Sequence, residues 1–362
     1  MFLQSVRRRS RAARRRADEY PPEVRRMVMS LKETFDKKRV AGRLLGSPIL
    51  LVIIAMAVLS TAFVPNFATL YNLKNLLLQT CDLLIISLGV TFTVLNGGLD
   101  FSSTSVLALS SVVGAYIMAL SPLKGTGLSI LLAIVVMVAI GAAVGAINGF
   151  SVVKLKMPSF IVTLSTQLFF SGMAIYFTSK VTDKASIMGL PSAFYRIGGE
   201  KAFFLPIVIA AAVFLVSHWL MTRTIFGRHV LLVGTNPKSC HISGINVKRV
   251  VFLLFLLSGI YAGAASVVLT ARNQAGISSL GDKMFIDIMS SIIIGGTSIF
   301  GGSGGAKHTL YGVIFITMLS NVMNLLGMDW YVLSLVKGFI VIIAALADIL
   351  SNRRKNYAAA AA

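Results

Sequence analysis

Residues 127–150 read GLSILLAIVVMVAIGAAVGAINGF, a stretch that contains no charged side chain. A helix needs about 20 predominantly apolar residues to cross the hydrocarbon core of a bilayer, and this stretch is long enough to do so. Similar apolar stretches flank it on both sides and are bounded by Pro, Gly, Asn or charged residues. Together they predict ten membrane spans, at 44–64, 76–95, 104–121, 127–150, 158–178, 203–221, 250–271, 284–300, 309–327 and 331–350.

The composition of the whole chain also indicates a membrane protein. Of its 362 residues, 56% are hydrophobic and only 13% are charged, which is about half the charged fraction of an ordinary soluble domain. In lipid, backbone polar groups are satisfied only within helices or closed barrels, and long apolar runs without two-residue alternation favour helices. The predicted fold class is therefore an all-α polytopic membrane protein with about ten transmembrane helices.

The formal net charge of +21 is concentrated at the ends of the chain. Of the 34 Lys and Arg residues, 14 lie within residues 1–43, and Arg353, Arg354 and Lys355 follow the last span. An even number of spans places both termini on one side, and the excess of basic residues predicts that this side is the cytoplasm. An arginine-rich tail is also typical of segments that bind RNA or anionic lipid. No aromatic residues alternate with the arginines, so the favoured interpretation is a solvated tail that determines the topology.

These features predict that the chain consists of three parts. Residues 1–43 are predicted to be a basic cytoplasmic tail, and residues 44–352 the transmembrane domain, which includes a cytoplasmic segment at 222–249. Residues 353–362 are predicted to be a second cytoplasmic tail, whose final alanine run we interpret as a cloning remnant.

Two glycine-rich breaks interrupt the apolar pattern at roughly corresponding positions of the two halves. Residues 96–103 read NGGLDFSS and residues 295–305 read GGTSIFGGSGG. Paired breaks of this kind typically mark a transport site, because free backbone groups are tolerated in a membrane only where they line a cavity. Ordinary flexible loops are the alternative, but the first break lacks Lys and Arg, which favours a re-entrant segment. The candidate residues of the translocation path are Gly97, Gly98, Asp100, Ser102, Gly295, Gly296, Thr297, Gly301 and Gly302.

Three carboxylates fall within or beside the predicted spans, namely Asp82, Asp100 and Asp287. A carboxylate in the middle of a membrane helix costs about 2.5 to 3.5 kcal/mol on insertion scales, so each is expected to face a cavity or a partner. Each therefore either forms a hydrogen bond between helices or lies on the translocation path. The other polar residues in or beside spans are expected mostly to join helices, and contact with the transported substrate is the alternative; they are Ser103, Thr104, Asn148, Gln167, Asn321 and Asn324.

The sequence contains no complete nucleotide-binding or metal-binding motif. Residues 301–307 approach a phosphate-binding loop, but Ala306 replaces the required glycine and His308 the required Ser or Thr. The pattern H-E-x-x-H is missing, as is C-x-x-C, and the four His are widely separated. We therefore expect no catalytic residue, no metal site and no cofactor on this chain.

The long hydrophilic segment at 222–249 carries a local helix signal. Asn236 and Pro237 form a typical helix start and predict one or two helical turns over 238–242. A brief amphipathic helix between turns is suited to docking in a groove of another protein. An unremarkable connecting loop is the alternative.

Five separate segments resemble one family of transport proteins. They are GGLDFSSTSVLALSSVVGA at 97–115, PSFIVTLSTQ at 158–167, T-x-x-G-R at 224–228, GTNPKSCHISGINVKRV at 234–250 and IIIGGTSIFGGSGG at 292–305. In these segments and their order, the chain resembles the permease subunits of ribose-type (monosaccharide) ABC importers, the ribose/xylose/arabinose/galactose permease family.

The resemblance implies a permease that moves a sugar inward across the bacterial inner membrane by alternating access, with inverted-repeat halves. It implies three kinds of partner: a second permease subunit, identical or related; a cytoplasmic ABC ATPase that binds ATP and Mg; and an extracytoplasmic solute-binding protein. It also implies that the segment at 222–249 contacts the ATPase. The residues carried over for that contact are Gly234, Asn236, Lys238, Ser243 and Gly244.

The chain departs from the family pattern at several positions. Phe101, Ser103 and Thr104 replace the usual Leu, Val and Gly of the first signature, and Lys238 begins the stretch that more often reads Glu-Ala-Ala. These differences leave the architecture intact and leave the sugar unspecified. Two alternatives from other classes are an ion-coupled secondary carrier that uses Asp82, Asp100 and Asp287, and a membrane-embedded enzyme.

Overall fold

The structure is a computed structural model, which describes the backbone of residues 48–361 and the side chains of residues 49–346. The predicted basic tail at 1–43 lies outside the described residues. The chain divides into two units, Met1–Ala55 and Met56–Ala362. Of the first unit, only the opening turns of helix α1 are described, and the architecture below is that of the second unit.

Helices account for most of the described residues, which confirms the predicted all-α class. The first five are α1 (Pro48–Phe63), α2 (Leu70–Val94), α3 (Ser102–Ala119), α4 (Gly127–Lys154) and α5 (Ser159–Val181). The next five are α6 (Ser192–Tyr195), α7 (Phe204–Arg223), α8 (Ile225–Thr235), α9 (Pro237–Ile242) and α10 (Val247–Asn273), with a 3-10 turn at Arg196–Gly198. The last three are α11 (Met284–Ile294), α12 (Ala306–Leu325) and α13 (Trp330–Ala361).

A very short antiparallel pair of strands accompanies the helices. Strand β1 (Ser186–Ile187) pairs with β2 (Gly276–Ile277), with Ser186 opposite Ile277. Strands of two residues are too short to produce an apolar periodicity, so the sequence did not predict them.

Within the described residues, six helices are both long and apolar enough to cross a membrane: α2, α3, α4, α5, α7 and α10. A helix lies at each of the ten predicted positions, but the count of ten spans is not confirmed. The predicted span at 284–300 is wrong in length, because α11 ends at Ile294. Its 11 residues cover only about 17 Å at 1.5 Å per residue, roughly half of a bilayer core.

Side-chain caps fix where several helices begin. The Thr69 hydroxyl accepts a hydrogen bond from the amide of Asn72, and the Thr224 hydroxyl accepts one from the amide of Gly227 at 3.1 Å. Such a cap contributes about 1 kcal/mol by satisfying an amide that has no partner within the helix. The segment after α7 therefore begins a new helix at once.

The centre of the molecule is formed by α2, α3 and α10. Every residue from Cys81 to Val94 of α2 is buried. Helix α10 approaches α4 through small residues: a Cβ added at Gly263 would lie 2.7 Å from the carbonyl oxygen of Met137. Small residues allow this close packing of backbones, which is a common form of helix association in membranes.

Two polar contacts join α2 to α12, one near each end of α2. The amides of Asn72 and Asn321 donate to each other's side-chain oxygens at 2.9 and 2.7 Å. The hydroxyls of Thr91 and Thr309 lie 2.7 Å apart. Asn321 thus joins helix to helix, as the sequence predicted for most of the polar residues.

Candidate translocation and coupling site

The two glycine-rich breaks, far apart in sequence, meet in the structure. The amide of Gly302 donates to the carbonyl oxygen of Leu95 at 2.8 Å. A Cβ added at Gly301 would lie 2.7 Å from the amide nitrogen of Gly97, and one at Gly97 would lie 3.2 Å from the carbonyl oxygen of Phe300. The contact is therefore made by backbone against backbone.

The end of α8 completes this contact. A Cβ added at Gly234 would lie 2.6 Å from the amide nitrogen of Gly302, and one at Gly302 would lie 2.5 Å from Oγ1 of Thr235. We call residues 95–98, 234–235 and 300–302 the glycine junction. It joins the predicted coupling segment to both breaks.

The apolar pattern of the sequence did not predict α8 or its place in the junction. The buried residues of α8 are Gly227, Val230 and Val233, at a spacing of three. That spacing is a helical signal, but the helix is too short to have been counted among the spans.

The other predicted path residues of the second break pack against the start of α12. A Cβ added at Gly296 would lie 3.3 Å from Cδ2 of His308. The Thr297 hydroxyl is buried and lacks a hydrogen-bond partner among the described residues. Gly295 lies against the His308 backbone and ends α11. These residues therefore shape the break between α11 and α12.

Residues 301–305 also have the spacing G-x-S-x-G of a hydrolase nucleophile elbow. That motif acts on a turn from a strand into a helix. Here it lies between two helices, α11 and α12, so the spacing does not identify a nucleophile.

Asp100 lies at the centre of a buried polar network. Its Oδ1 accepts hydrogen bonds from the amide and the hydroxyl of Ser102, at 3.0 and 2.6 Å, and its Oδ2 accepts one from the Ser258 hydroxyl at 2.5 Å. Asn148 donates to the Ser102 hydroxyl at 2.7 Å, and Thr166 donates to Asn148 at 2.9 Å. Asp100 and Ser102 thus connect four helices: α3, α4, α5 and α10. The first break also includes Gly98, whose amide donates to the carbonyl of Thr93.

Asp82 and Asp287 each form an ion pair with a basic side chain. Asp82 pairs with Arg272, and Asp287 pairs with Lys337 at 2.6 Å. The Asp82 side chain is 4% exposed and that of Lys337 is 6% exposed. Both carboxylates line the same cavity of about 190 Å³. The basic partners Arg272 and Lys337 were not predicted, although Lys337 stands out in the sequence as a charged residue inside the last apolar stretch.

The predicted coupling residues lie on and around α9. This helix spans Pro237–Ile242, and the Asn236 side chain caps it by accepting from the amide of Ser239 at 3.1 Å. The prediction of a short helix after Asn236 is therefore confirmed. Lys238, Ser243 and Gly244 are exposed.

An open cleft of about 640 Å³ lies beside α9, between it and the start of α10. Lys238, His241, Gly244 and Lys248 are among its lining residues. Ile242, at the end of α9, is 88% exposed. A cleft with basic edges next to an exposed apolar side chain is a surface suited to a protein partner.

Comparison with known proteins identifies the chain. The family described as branched-chain amino acid transport system / permease component matches residues 72–346. The ribose import permease protein of Escherichia coli K12 is 32% identical over 303 residues, which cover 82% of this chain and 91% of that protein. The chain belongs to the ribose-type ABC permease family.

Two other relatives of this permease carry the names of other sugars. The D-allose transport system permease protein of Escherichia coli K12 is 32% identical over 302 residues, or 83% of this chain and 90% of the relative. The L-arabinose transport system permease protein of the same strain is 28% identical over 320 residues, or 87% and 94%. No solved structure matches the permease. The family match includes the glycine junction, α9 and both ion pairs of the permease.

Proposed function

We propose that this chain is the membrane-spanning subunit of an ATP-driven importer that moves a monosaccharide inward by alternating access. The relatives are named as ribose, allose and arabinose permeases, which supports a sugar of this size. The observation that carries the mechanism is the glycine junction, where the predicted coupling segment meets both helix breaks.

The partner at α9 is a cytoplasmic ABC ATPase that binds ATP and Mg. Ile242 projects from α9 as an apolar anchor, and Lys238 and Lys248 line the neighbouring cleft. Gly234, Asn236, Lys238, Ser243 and Gly244 belong to this coupling region. The positive charge of the cleft favours an acidic groove on the ATPase, because complementary charge guides and orients docking.

The junction transmits movement of the ATPase to the path. Helix α9 follows α8 after a single residue, Asn236, and the end of α8 packs on Gly302 and Leu95. Gly234 meets the backbone atoms of Leu95 and Gly302 directly, so a shift of α8 displaces both breaks. The breaks in turn adjoin α3, α11 and α12, and their glycines accommodate the change in backbone geometry.

The remaining parts of the assembly follow the family pattern. A second permease subunit, identical or related, completes the pathway, and an extracytoplasmic binding protein delivers the sugar. The transmembrane domain comprises residues 44–352 in the bacterial inner membrane, with the tails at 1–43 and 353–362 in the cytoplasm. In this orientation the glycine junction and α9 lie on the cytoplasmic side.

Ion-coupled transport is the weaker candidate. It needs carboxylates that are free to exchange a proton or bind sodium, whereas Asp82 and Asp287 each have a cationic partner. Asp100 accepts three hydrogen bonds. The carrier would also leave the α8 and α9 segment without a role.

The proposal is tested by purifying the chain from its native membrane and identifying the proteins that accompany it by mass spectrometry. A protein with a complete phosphate-binding loop and ATPase activity in the mixture would support the importer. Uptake of radiolabelled D-ribose, L-arabinose and D-allose is then compared between the native strain and a strain that lacks this gene. Uptake that follows an ion gradient and needs no ATPase would overturn the proposal.

A further inference from the structure

A small polar cavity lies between α2, α10, α11 and α12, away from the glycine junction. Its polar lining residues include Gln79, Asp82, Arg272, Asp287 and Ser320. Asp82 is the central residue of α2, which spans Leu70–Val94. The cavity also reaches the first turn of the half-length helix α11. Transporters commonly bind substrate beside such interrupted helices near the middle of the membrane.

The charges around this cavity cancel. Two carboxylates, Asp82 and Asp287, are paired with Arg272 and Lys337. The side chains of Asp82 and Lys337 are almost fully buried, and ionisable groups that a membrane protein retains at such positions usually serve function. Because the sum of these charges is zero, the cavity favours neither a cation nor an anion.

One oxygen of Asp82 lacks a partner. Asp82 is 3% exposed, its Oδ2 pairs with Arg272, and its Oδ1 is buried without a hydrogen-bond partner in the described part of the chain. An unpaired buried carboxylate oxygen is unfavourable, so the site calls for a donor supplied from the cavity. A hydroxyl group is such a donor.

The size of the cavity restricts its ligand. A volume of about 190 Å³ corresponds to about six water molecules at roughly 30 Å³ each. Sites for drug-sized ligands usually measure about 300 to 1,000 Å³. The cavity therefore suits a molecule no larger than one sugar ring.

We propose that this cavity is a sugar-binding station on the translocation path, an inference that rests on the proposed function. One sugar hydroxyl donates to Asp82 Oδ1, and others accept from Arg272 and bond to Gln79. Ser320 contributes only wall to the cavity, because its hydroxyl donates to the backbone carbonyl of Ile316 at 2.8 Å. Hydroxyl groups both donate and accept, which matches a lining that offers carboxylate, guanidinium and amide groups together. The ligand class is a neutral polyhydroxylated ring.

The test fills the cavity without breaking an ion pair. Ser320→Leu places an apolar side chain in the cavity, and Ser320→Ala is the matched control, since both remove the hydroxyl and only leucine adds bulk. Each variant replaces the chromosomal gene in the native organism, so all partners are present. Initial uptake of radiolabelled D-ribose, L-arabinose and D-allose is measured and normalised to the amount of permease in the membrane.

We expect Ser320→Leu to lower the maximal uptake rate by about tenfold or more, as bulk of this kind in a pocket does, while Ser320→Ala stays within about twofold. The half-saturating sugar concentration should be unchanged, because the external binding protein sets it. Uptake by Ser320→Leu equal to that of Ser320→Ala would overturn the sugar station. If deletion of the whole gene leaves uptake of all three sugars unchanged, the proposed function fails first and this inference fails with it.

A binding measurement covers the case in which Ser320→Leu does not accumulate in the membrane. Gln79→Cys is made in a Cys81→Ser, Cys240→Ser background, which removes both native cysteines. Its rate of modification by a small water-soluble thiol reagent is measured with and without the transported sugar. Slower modification in the presence of that sugar, but not of a sugar that the cells do not take up, supports the proposal. An unchanged rate in a variant that still transports would overturn it.

Discussion

The amide of Gly302 donates to the carbonyl of Leu95 at 2.8 Å, and this one hydrogen bond joins the break after α2 to the break before α12. Gly234 packs on the same two residues, and Thr235 packs on Gly302. The segment predicted to bind the ATPase and the elements predicted to line the path therefore share a single small area of contact.

The junction is sensitive to one added methyl group. Gly302 has φ +77° and its Cβ position lies 2.5 Å from Thr235 Oγ1, whereas Gly125 has φ +76° with open space around it. Gly125→Ala is thus a matched control that carries only the left-handed backbone cost of roughly 1 to 2 kcal/mol. We expect Gly302→Ala to cost about 1 to 3 kcal/mol more and to reduce uptake. Thermal unfolding and sugar uptake measure the difference, and equal behaviour of the two variants would contradict this account of the junction.

The docking surface at α9 is tested at Gly244. This residue has φ +81° and no atom near its Cβ position, so Ala and Trp carry the same backbone strain and differ in bulk. We expect Gly244→Trp to prevent co-purification of the ATPase, and Gly244→Ala to retain it. Permease inserted in the membrane is quantified in parallel. Retention of the ATPase by Gly244→Trp would exclude this surface as the contact.

The pair of Asp82 and Arg272 makes an asymmetric prediction about stability. Loss of one partner of a buried ion pair costs about 3 to 5 kcal/mol. The Asp82 side chain is 4% exposed and that of Arg272 is 25% exposed. Arg272→Gln, which leaves the more deeply buried charge unpaired, should therefore destabilise more than Asp82→Asn.

The double variant Asp82→Asn, Arg272→Gln completes a cycle with these two single variants. We expect it to be more stable than the sum of the single losses predicts, because neither charge is left alone. Thermal unfolding of the purified complex provides the measurement. Additive losses would show that the pair does not contribute as a unit.

Asp100 is expected to tolerate an isosteric change and not an apolar one. Asparagine keeps one oxygen for Ser102, and its amide can donate to the hydroxyl of Ser258, which accepts as well as donates. Leucine leaves buried donors unpaired at about 1 to 3 kcal/mol each. Uptake by Asp100→Asn should stay close to that of the parent, while Asp100→Leu should reduce the amount of folded permease. A large loss of uptake in well-folded Asp100→Asn would place the carboxylate charge itself on the path.

Local signals in the sequence predicted much of the helical framework. Asn236 and Pro237 located the start of α9, because capping and the restricted φ of proline act within a few residues. Long apolar runs located α2, α4 and α10, because the hydropathy of a span is also a property of consecutive residues. The half-length α11 was not predicted, since the hydropathy of residues 292–300 stays high across Gly295 and Gly296 and hides the end of the helix.

The site was predictable only in part. The glycine breaks and the intramembrane carboxylates stand out in the sequence, but their partners do not. Arg272 lies 190 positions from Asp82, and its role depends on how α10 packs on α2. The contact of Gly234 with Leu95 likewise depends on tertiary packing, and no local pattern in the sequence predicts it.

The two polar contacts between α2 and α12 have a mechanical consequence. Because Asn72 bonds to Asn321 and Thr91 to Thr309, α2 and α12 are held together near both ends and are expected to move as one rigid antiparallel pair. A rearrangement that opens the cavity at Asp82 is then expected to move α10 or α11 relative to this pair. Spin labels on α2 and α12 would keep a fixed separation through the transport cycle, and labels on α2 and α10 would report the motion.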